Sequence, residues 1–535
     1  MIGVIVDPSE QRVVTEFFEL FKTPWELYRS DRHYDVLLCC GDGELHEHAA
    51  SLILIYAGRK LPFDAERDTR IACHNDETRF LSFRGTRVPI YGASITFREE
   101  GTHILVDEQS HKPAIRLEQS KERVVARVGY DLFREVRTLL TAGQPAVNAG
   151  IPALELHIAI LRDLIVASGV RLVEIPPVPE GYRFIACLTH DVDHPSIRQH
   201  KFDHTMFGFL YRAVFRSLFN LLRGRATLGQ VLKNWGAAWK LPFVYLGLAK
   251  DFWQQFDRYP ELEKGHRSSF FVIPFKGDPG RRGGSLAPKR RASGYGATDI
   301  AGQIQDLVSA GCEIGLHGID AWHDSSKGRD ELERIRRITG AREIGTRIHW
   351  LYFDGQSPVT LERAGADYDS TMGFNETVGY RAGTTQAYRP LEATRLLELP
   401  LHIMDTALFY PTYLDLSPRE ARELVGTIIN NAVQFGGAVT VNWHDRSIAP
   451  ERCWGDFYVD LVEQLKSKGA WFATASETVS WFRKRRSATF ENIDGEWGVL
   501  EAVKPTEVGA DLPALHLRVN KAQKPCQAEP VAQAR

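Results

Sequence analysis

Three stretches set carboxylates and imidazoles directly after apolar runs. FIACL at 184–188 leads into Thr189, His190, Asp191, Val192, Asp193 and His194. CEIGL at 312–316 leads into His317, with Asp320, His323 and Asp324 close behind, and AVTVNW at 438–443 leads into His444, Asp445 and Arg446. Short apolar runs of this kind are buried-strand candidates. Charged groups at the mouth of such a strand are costly unless they are paired or bind a metal. If the extended conformation continues, alternation puts Asp191 and Asp193 on one side of the chain. One such loop could be a solvated acidic turn; the repetition at three strand ends argues for chemistry. Neutral imidazole with carboxylate suits Zn²⁺, with Co²⁺ or Fe²⁺ as alternatives. A catalytic ion of this type takes about three protein ligands and keeps a position open for water.

The elements that would carry these groups alternate between strand and helix. Strand candidates are Phe184–Leu188, Ser269–Pro274, Cys312–Leu316, Glu343–Trp350, Leu397–Ile403, Ala438–Trp443 and Trp471–Ala475. Helical spacing separates several of them, at Ile300–Ala310, Asp330–Ile338 and Pro418–Phe435. Such alternation implies a parallel sheet or barrel, and in a barrel the chemistry collects at the C-terminal ends of the strands. The three clusters fall there.

With these residues in place, the segment 180–485 resembles the polysaccharide deacetylase superfamily (NodB-homology, carbohydrate esterase family 4-like), as a divergent bacterial form. THDVDH at 189–194 is similar to its first motif, GLHGIDAWH at 315–323 to its metal-binding histidine motif, GTRIHW at 345–350 to the motif that supplies an arginine, and VNWH at 441–444 to its last. YDST, GYRAGT and ELPLHIMD, at 368–371, 379–384 and 398–405, are similar to further segments of that subgroup. The resemblance implies an irregular (β/α) barrel of seven or eight units and a hydrolase acting on carbon–nitrogen, non-peptide bonds. It would remove an acyl group, in the first instance N-acetyl, from a saccharide or saccharide precursor. It implies Asp191 as general base, Asp193 and His317 as metal ligands, Arg347 as the group that orients the base, and His444 as general acid. The second motif departs from the family, whose histidines stand four apart. His317 and His323 are six apart, which on a helix would separate them by about 120°. His323 is the expected third ligand only if the intervening segment loops, and Asp320 is its rival. His349, Trp350, Arg381 and Trp443 are candidates for binding the sugar, Asp369 and Asp405 for orienting other groups, and His190 and His402 for structural hydrogen bonds. Two other functions stay open: a degenerate deacetylase fold that binds saccharide or scaffolds a complex, and a deformylase or other C–N hydrolase on a lipid-linked or small substrate.

The rest of the 535 residues reads as three further regions. Residues 1–178 form an N-terminal α/β domain of unassigned role, ending at Pro176, Pro177 and Pro179; residues 179–485 are the catalytic domain; residues 486–520 are a small β appendage; and 521–535 are a disordered tail. Within the catalytic domain a helical insertion spans about 195–265. Near 206–223 it carries an apolar face, with Arg212, Arg216 and Arg223 grouped on the other side. Such a helix either packs on the barrel or lies on an anionic membrane. A net charge of −2 gives no field for nucleic acid. Seven scattered cysteines without a C-x-x-C pair suit reduced thiols. The start MIGVIVDPSEQ has no signal-peptide pattern, so the expected location is the cytoplasm, with peripheral contact at the inner membrane surface. Oligomeric state is not legible.

Overall fold

The apolar run that begins at Phe184 is a nine-residue strand, β1 (Phe184–Val192), buried at every position and continuing past Leu188 to carry His190 and Asp191 inside the ladder. The computed structural model describes residues 1–41, 50–98, 104–120, 123–224, 226–256, 258–493, 496–500 and 512–520. Around β1 are β2 (Ser269–Val272), β3 (Glu313–Gly318), β4 (Thr346–Ile348), β5 (Tyr368–Asp369), β6 (Leu397–Glu398), β7 (Ile403–Met404), β8 (Ala438–Asn442) and β9 (Ala470–Phe472). The order is β6-β5-β4-β3-β2-β1-β8-β7, with β9 beside the start of β1, and every ladder is parallel. The sheet curls into an irregular (β/α) barrel. No ladder joins β6 to β7 among the described residues.

The connecting helices follow local chemistry. Asp324 caps the helix Ser325–Thr339 by accepting from Ser326 and Lys327, and Gly340 ends it at φ 74°, a conformation that favours glycine. The helix Pro418–Phe435 opens with a Ser417/Glu420 capping box and proline in its first turn. The expected strand Leu397–Ile403 is two short strands, β6 and β7, because Leu399–His402 leave the ladder. β5 falls in the YDST segment and is too short, at two residues, to show a period.

Residues of the N-terminal region form a six-stranded sheet in which Ile2–Ile5, Val36–Cys40 and Leu52–Tyr56 are successive parallel neighbours. The helices Gln11–Leu20, Leu132–Thr141 and Ala153–Ala167 accompany it. Its core includes Met372, Ala382, Tyr388 and Leu391 from the barrel side, so the two regions share one buried seam. Arg485 sits in that seam, 1% exposed. Its guanidinium donates to the carbonyls of Glu19, Leu20, Ile175 and Pro176 and to the Gln386 side chain.

The appendage contains the hairpin Thr489–Ile493/Glu496–Leu500 and a last strand, Arg518–Asn520, which pairs antiparallel with Leu172–Glu174 of the N-terminal region. The expected tail 521–535 lies outside the described residues. The insertion is helical, with helices at His204–Leu210, Ser217–Leu222 and Leu228–Tyr245 and a π-helical stretch at Tyr211–Arg216. No helix among the described residues is long and apolar enough to cross a membrane.

Candidate active site

A cleft of about 1030 Å³ opens where the barrel strands end, lined among others by Asp191, Asp193, His317, His349, Arg446 and His444. Each group arrives from a strand terminus. β1 delivers Asp191 and Asp193, β3 delivers His317, β4 delivers Arg347 and His349, β7 delivers Asp405, and β8 delivers His444.

Asp193, His317 and His349 are the one His/Cys/Asp/Glu group of three or more among the described residues whose ligand atoms could share an ion, all lying within 4.8 Å of one another. Nε2 of His317 is 3.3 Å, and Nε2 of His349 3.6 Å, from Asp193 Oδ1. That oxygen is buried and accepts no hydrogen bond. His317 Nδ1 lies 2.9 Å from the Arg347 carbonyl. A carbonyl can only accept, so Nδ1 carries a proton and Nε2 is the nitrogen turned to Asp193 and the cleft. Burial opposes the charge on Asp193, but His349, His317 and His444 outweigh it and hold the carboxyl well below its usual range. Burial, first of all, keeps the His349 imidazole neutral, well below its ordinary range. Two imidazoles and one carboxylate with an unsatisfied oxygen are a donor set that fits a borderline divalent cation.

Asp191 is gripped on both oxygens. Arg347 Nη1 donates to Oδ1 at 3.1 Å and Asn442 Nδ2 to Oδ2 at 2.6 Å. Arg347 is itself immobilised by Thr189 Oγ1 (2.6 Å), the Ser370 carbonyl (3.0 Å) and Ser370 Oγ (2.8 Å). Its guanidinium carbon lies 4.5 Å from the centre of the Phe271 ring. Beneath it, Asp369 and Glu398 form a buried carboxyl pair; burial raises both, and the neighbouring Asp369 raises Glu398 further. His444 Nδ1 is 2.6 Å from Asp405 Oδ1, and its Nε2 faces Asp193 Oδ2 at 3.8 Å. Burial favours the neutral imidazole, but Asp405, with Asp193 and Asp191 beyond it, pushes it up to about 10.

The structure departs from the sequence reading at three positions. His323 is not in the group of three that could share an ion. It lies 3.0 Å from Asp320 Oδ1, and Asp320 also takes Lys327 Nζ and the backbone N–H of Arg281. A turn after β3, closed by His323 N–H on the Asp320 carbonyl, carries both away from the group. The second imidazole of the group is instead His349, which the sequence places among the sugar-binding candidates. Trp443 is wholly buried, stacked on Phe457 and Tyr458, and does not line the cleft; strand alternation turns it to the opposite side from His444. Trp350 and Arg381 do line the cleft. His190 is held between the Trp443 carbonyl and Glu263, and His402 by the Thr384 carbonyl and the Thr440 N–H, both away from the reacting groups.

Sequence reasoning overlooked Asn442, Ser370 and Glu398. A buried asparagine two residues before His444 was the available signal for the first.

Farther out on the cleft wall, Arg446 and Arg452 donate to the Tyr410 hydroxyl at 3.3 and 2.8 Å. Burial opposes ionisation of this phenol, but Arg452, Arg446 and Arg212 bring it down to about 7. This wall is strongly basic.

No family model matches the sequence, and no curated protein matches it. Among solved structures the chain is similar to a proposed polysaccharide deacetylase of Mycobacterium smegmatis, at 20% identity over 58% of this chain and 95% of that one, with a TM-score of 0.36. It is similar to a probable polysaccharide deacetylase of Pseudomonas aeruginosa at 14% identity over 60% and 98%, with a TM-score of 0.35. It is also similar to the peptidoglycan deacetylase PdaC of Bacillus subtilis at 10% identity over 58% and 94%, with a TM-score of 0.25.

Proposed function

We propose that this cleft hydrolyses an acyl linkage on a saccharide, as a metal-dependent deacetylase that cleaves a C–N bond and releases acetate from an N-acetyl group. One observation supports the reading above the others: Asp193 Oδ1 is buried without a hydrogen bond and faces two imidazole nitrogens. A buried carboxylate oxygen left this way is costly unless something positively charged completes it. Asp193, His317 and His349 would hold the ion, Zn²⁺ in the first instance and Co²⁺ or Fe²⁺ otherwise. When bound, the ion supplies polarisation of the acyl oxygen and a water of lowered pKa.

The other steps belong to side chains of this chain. Asp191 takes a proton from the attacking water; Arg347 and Asn442 hold its carboxylate in one orientation. A base positioned this way contributes roughly 10²–10⁴-fold. Arg347 acts as a positioning residue. His444 carries a proton at neutral pH, because Asp405 holds its Nδ1 side, and hands the Nε2 proton to the departing nitrogen. Trp350 and Arg381, on the cleft wall, bind the sugar.

The test is acetate release from N-acetylated chito-oligosaccharides by the zinc-reconstituted chain, beside Asp191→Asn. Release by the parent, reduced roughly a hundredfold or more in the variant at equal metal content, is the expected result. Equal release by both would overturn the assignment of Asp191. Bound metal with no hydrolysis of any acylated saccharide would favour a saccharide-binding module, and formate in place of acetate a deformylase.

A further inference from the structure

The helical insertion is apolar on two faces, where a helix packed on a soluble protein needs one. On one side, Val231, Ala237, Leu241 and Val244 are buried, the last three in a small core with Phe209, Ala213 and Trp253. On the other, Leu228, Leu232, Trp235, Trp239, Phe243 and Leu246 recur every three or four residues and are exposed, Trp239 at 77%. The preceding helical stretch repeats the pattern with Phe207, Tyr211, Phe215, Phe219 and Leu222, and the two stretches pack against each other. Fourteen of the twenty large apolar side chains exposed among the described residues lie between Phe202 and Leu248. Scattered exposure of this kind is ordinary on a soluble protein; concentration on one hairpin marks an interaction surface.

Charge selects the partner. Residues 204–250 contain seven Lys or Arg and no Asp or Glu, and Arg223, Lys233, Lys240 and Lys250 are exposed. We infer that this hairpin docks in the plane of an anionic phospholipid surface, apolar stripe inward and cations at the headgroups. The longest helix has 18 residues, about 27 Å, and no helix among the described residues suits a span. Tryptophan and tyrosine within the stripe fit the headgroup boundary. A second copy, meeting the first through a two-fold axis, would set the same cations against each other. The hairpin borders the cleft wall: Arg212, on its π-helical stretch, lines a pocket together with Tyr410, Arg452 and Trp454, which also line the cleft. A saccharide presented at a lipid surface would therefore meet the catalytic mouth beside the docked face. The docking itself stands on the hairpin alone and does not depend on the hydrolase reading.

The experiment is flotation of the full chain with phosphatidylcholine vesicles, with and without about a third phosphatidylglycerol. It compares the parent with the exposed double variants Trp235→Ser/Trp239→Ser and Lys233→Ala/Lys240→Ala. The parent should float with the anionic vesicles at least tenfold more strongly than with the neutral ones, and less so as salt screens the charges. Removing two cations should weaken binding roughly thirtyfold. Removing the two indoles should weaken it at least as much, while the melting temperature and metal content stay unchanged. No binding to anionic vesicles, or equal binding to both lipids, would overturn the inference. So would a concentration-dependent dimer in light scattering that the tryptophan variant breaks in the absence of lipid binding. None of these readouts involves acetate release.

Discussion

At the seam between the N-terminal sheet and the barrel, the buried Arg485 guanidinium finds an acceptor for each of its nitrogens, and Arg486 closes on both oxygens of Glu16 at 2.7 Å. At the floor of the cleft, equally buried polar atoms have none: Asp193 Oδ1 and His349 Nδ1 accept or donate nothing. Burial is the same and the accounting is opposite. A satisfied cluster holds elements together; an unsatisfied one is held ready for a ligand, at the expense of stability. Around the cleft floor the next layer is satisfied again, since Arg347 and Asn442 clamp Asp191 and Asp405 clamps His444. Atoms that could take a ligand are left open while their supports are fixed.

The contrast breaks most visibly at the seam. Arg485→Met strands the carbonyls of Glu19, Leu20, Ile175 and Pro176 in a buried interface, and should lower stability by about 3–5 kcal/mol in thermal or denaturant unfolding. Asp191→Asn in the cleft should do the reverse of a seam variant, costing roughly 10²–10⁴-fold in turnover with little or no loss of melting temperature. Asp405→Asn should leave metal content unchanged and lower turnover by roughly tenfold or more, because the imidazole of His444 loses the carboxylate that keeps it protonated. Ser370→Ala, which removes one of the hydrogen bonds that hold Arg347, should have a smaller effect of the same sign on turnover.

The smallest effect is a pH dependence in the N-terminal region. Glu135 is pushed up to about 7 by burial, against the N–H groups of Tyr91 and Gly92 that it accepts. In the unfolded chain it titrates near its ordinary value of 4.5. Between those two values the folded state binds the extra proton, so this group's contribution is fully present below about 4.5 and is lost as pH rises to about 7. Glu135→Gln should flatten that part of the stability–pH curve.

Much of this organisation was legible in the residues. Long apolar runs ending in charge, as at Phe184–Asp193 and Ala438–His444, announce themselves as buried strands, and their repetition at three strand ends points to chemistry there. β5 and β7 did not, at two residues each, since a period needs more positions to show. The second imidazole of the group was hidden for a related reason. His349 follows a three-residue strand and precedes Trp350 at φ 63°, a local backbone turn that spacing does not encode. His323, six residues after His317, could join the group only if the segment between them looped towards it. The turn that folds it onto Asp320 depends on Lys327 and on the N–H of Arg281, from a loop some forty residues upstream. Asn442 reads as an ordinary strand residue until Asp191 is placed opposite it.

The most direct test of the central claim is metal content after reconstitution with Zn²⁺, for the parent beside Asp193→Ala, His317→Ala, His349→Ala and His323→Ala. The proposed site requires near-stoichiometric metal in the parent and in His323→Ala, and its loss in the other three. Loss in His323→Ala with retention in His349→Ala, or a parent chain that takes up no metal, would contradict it.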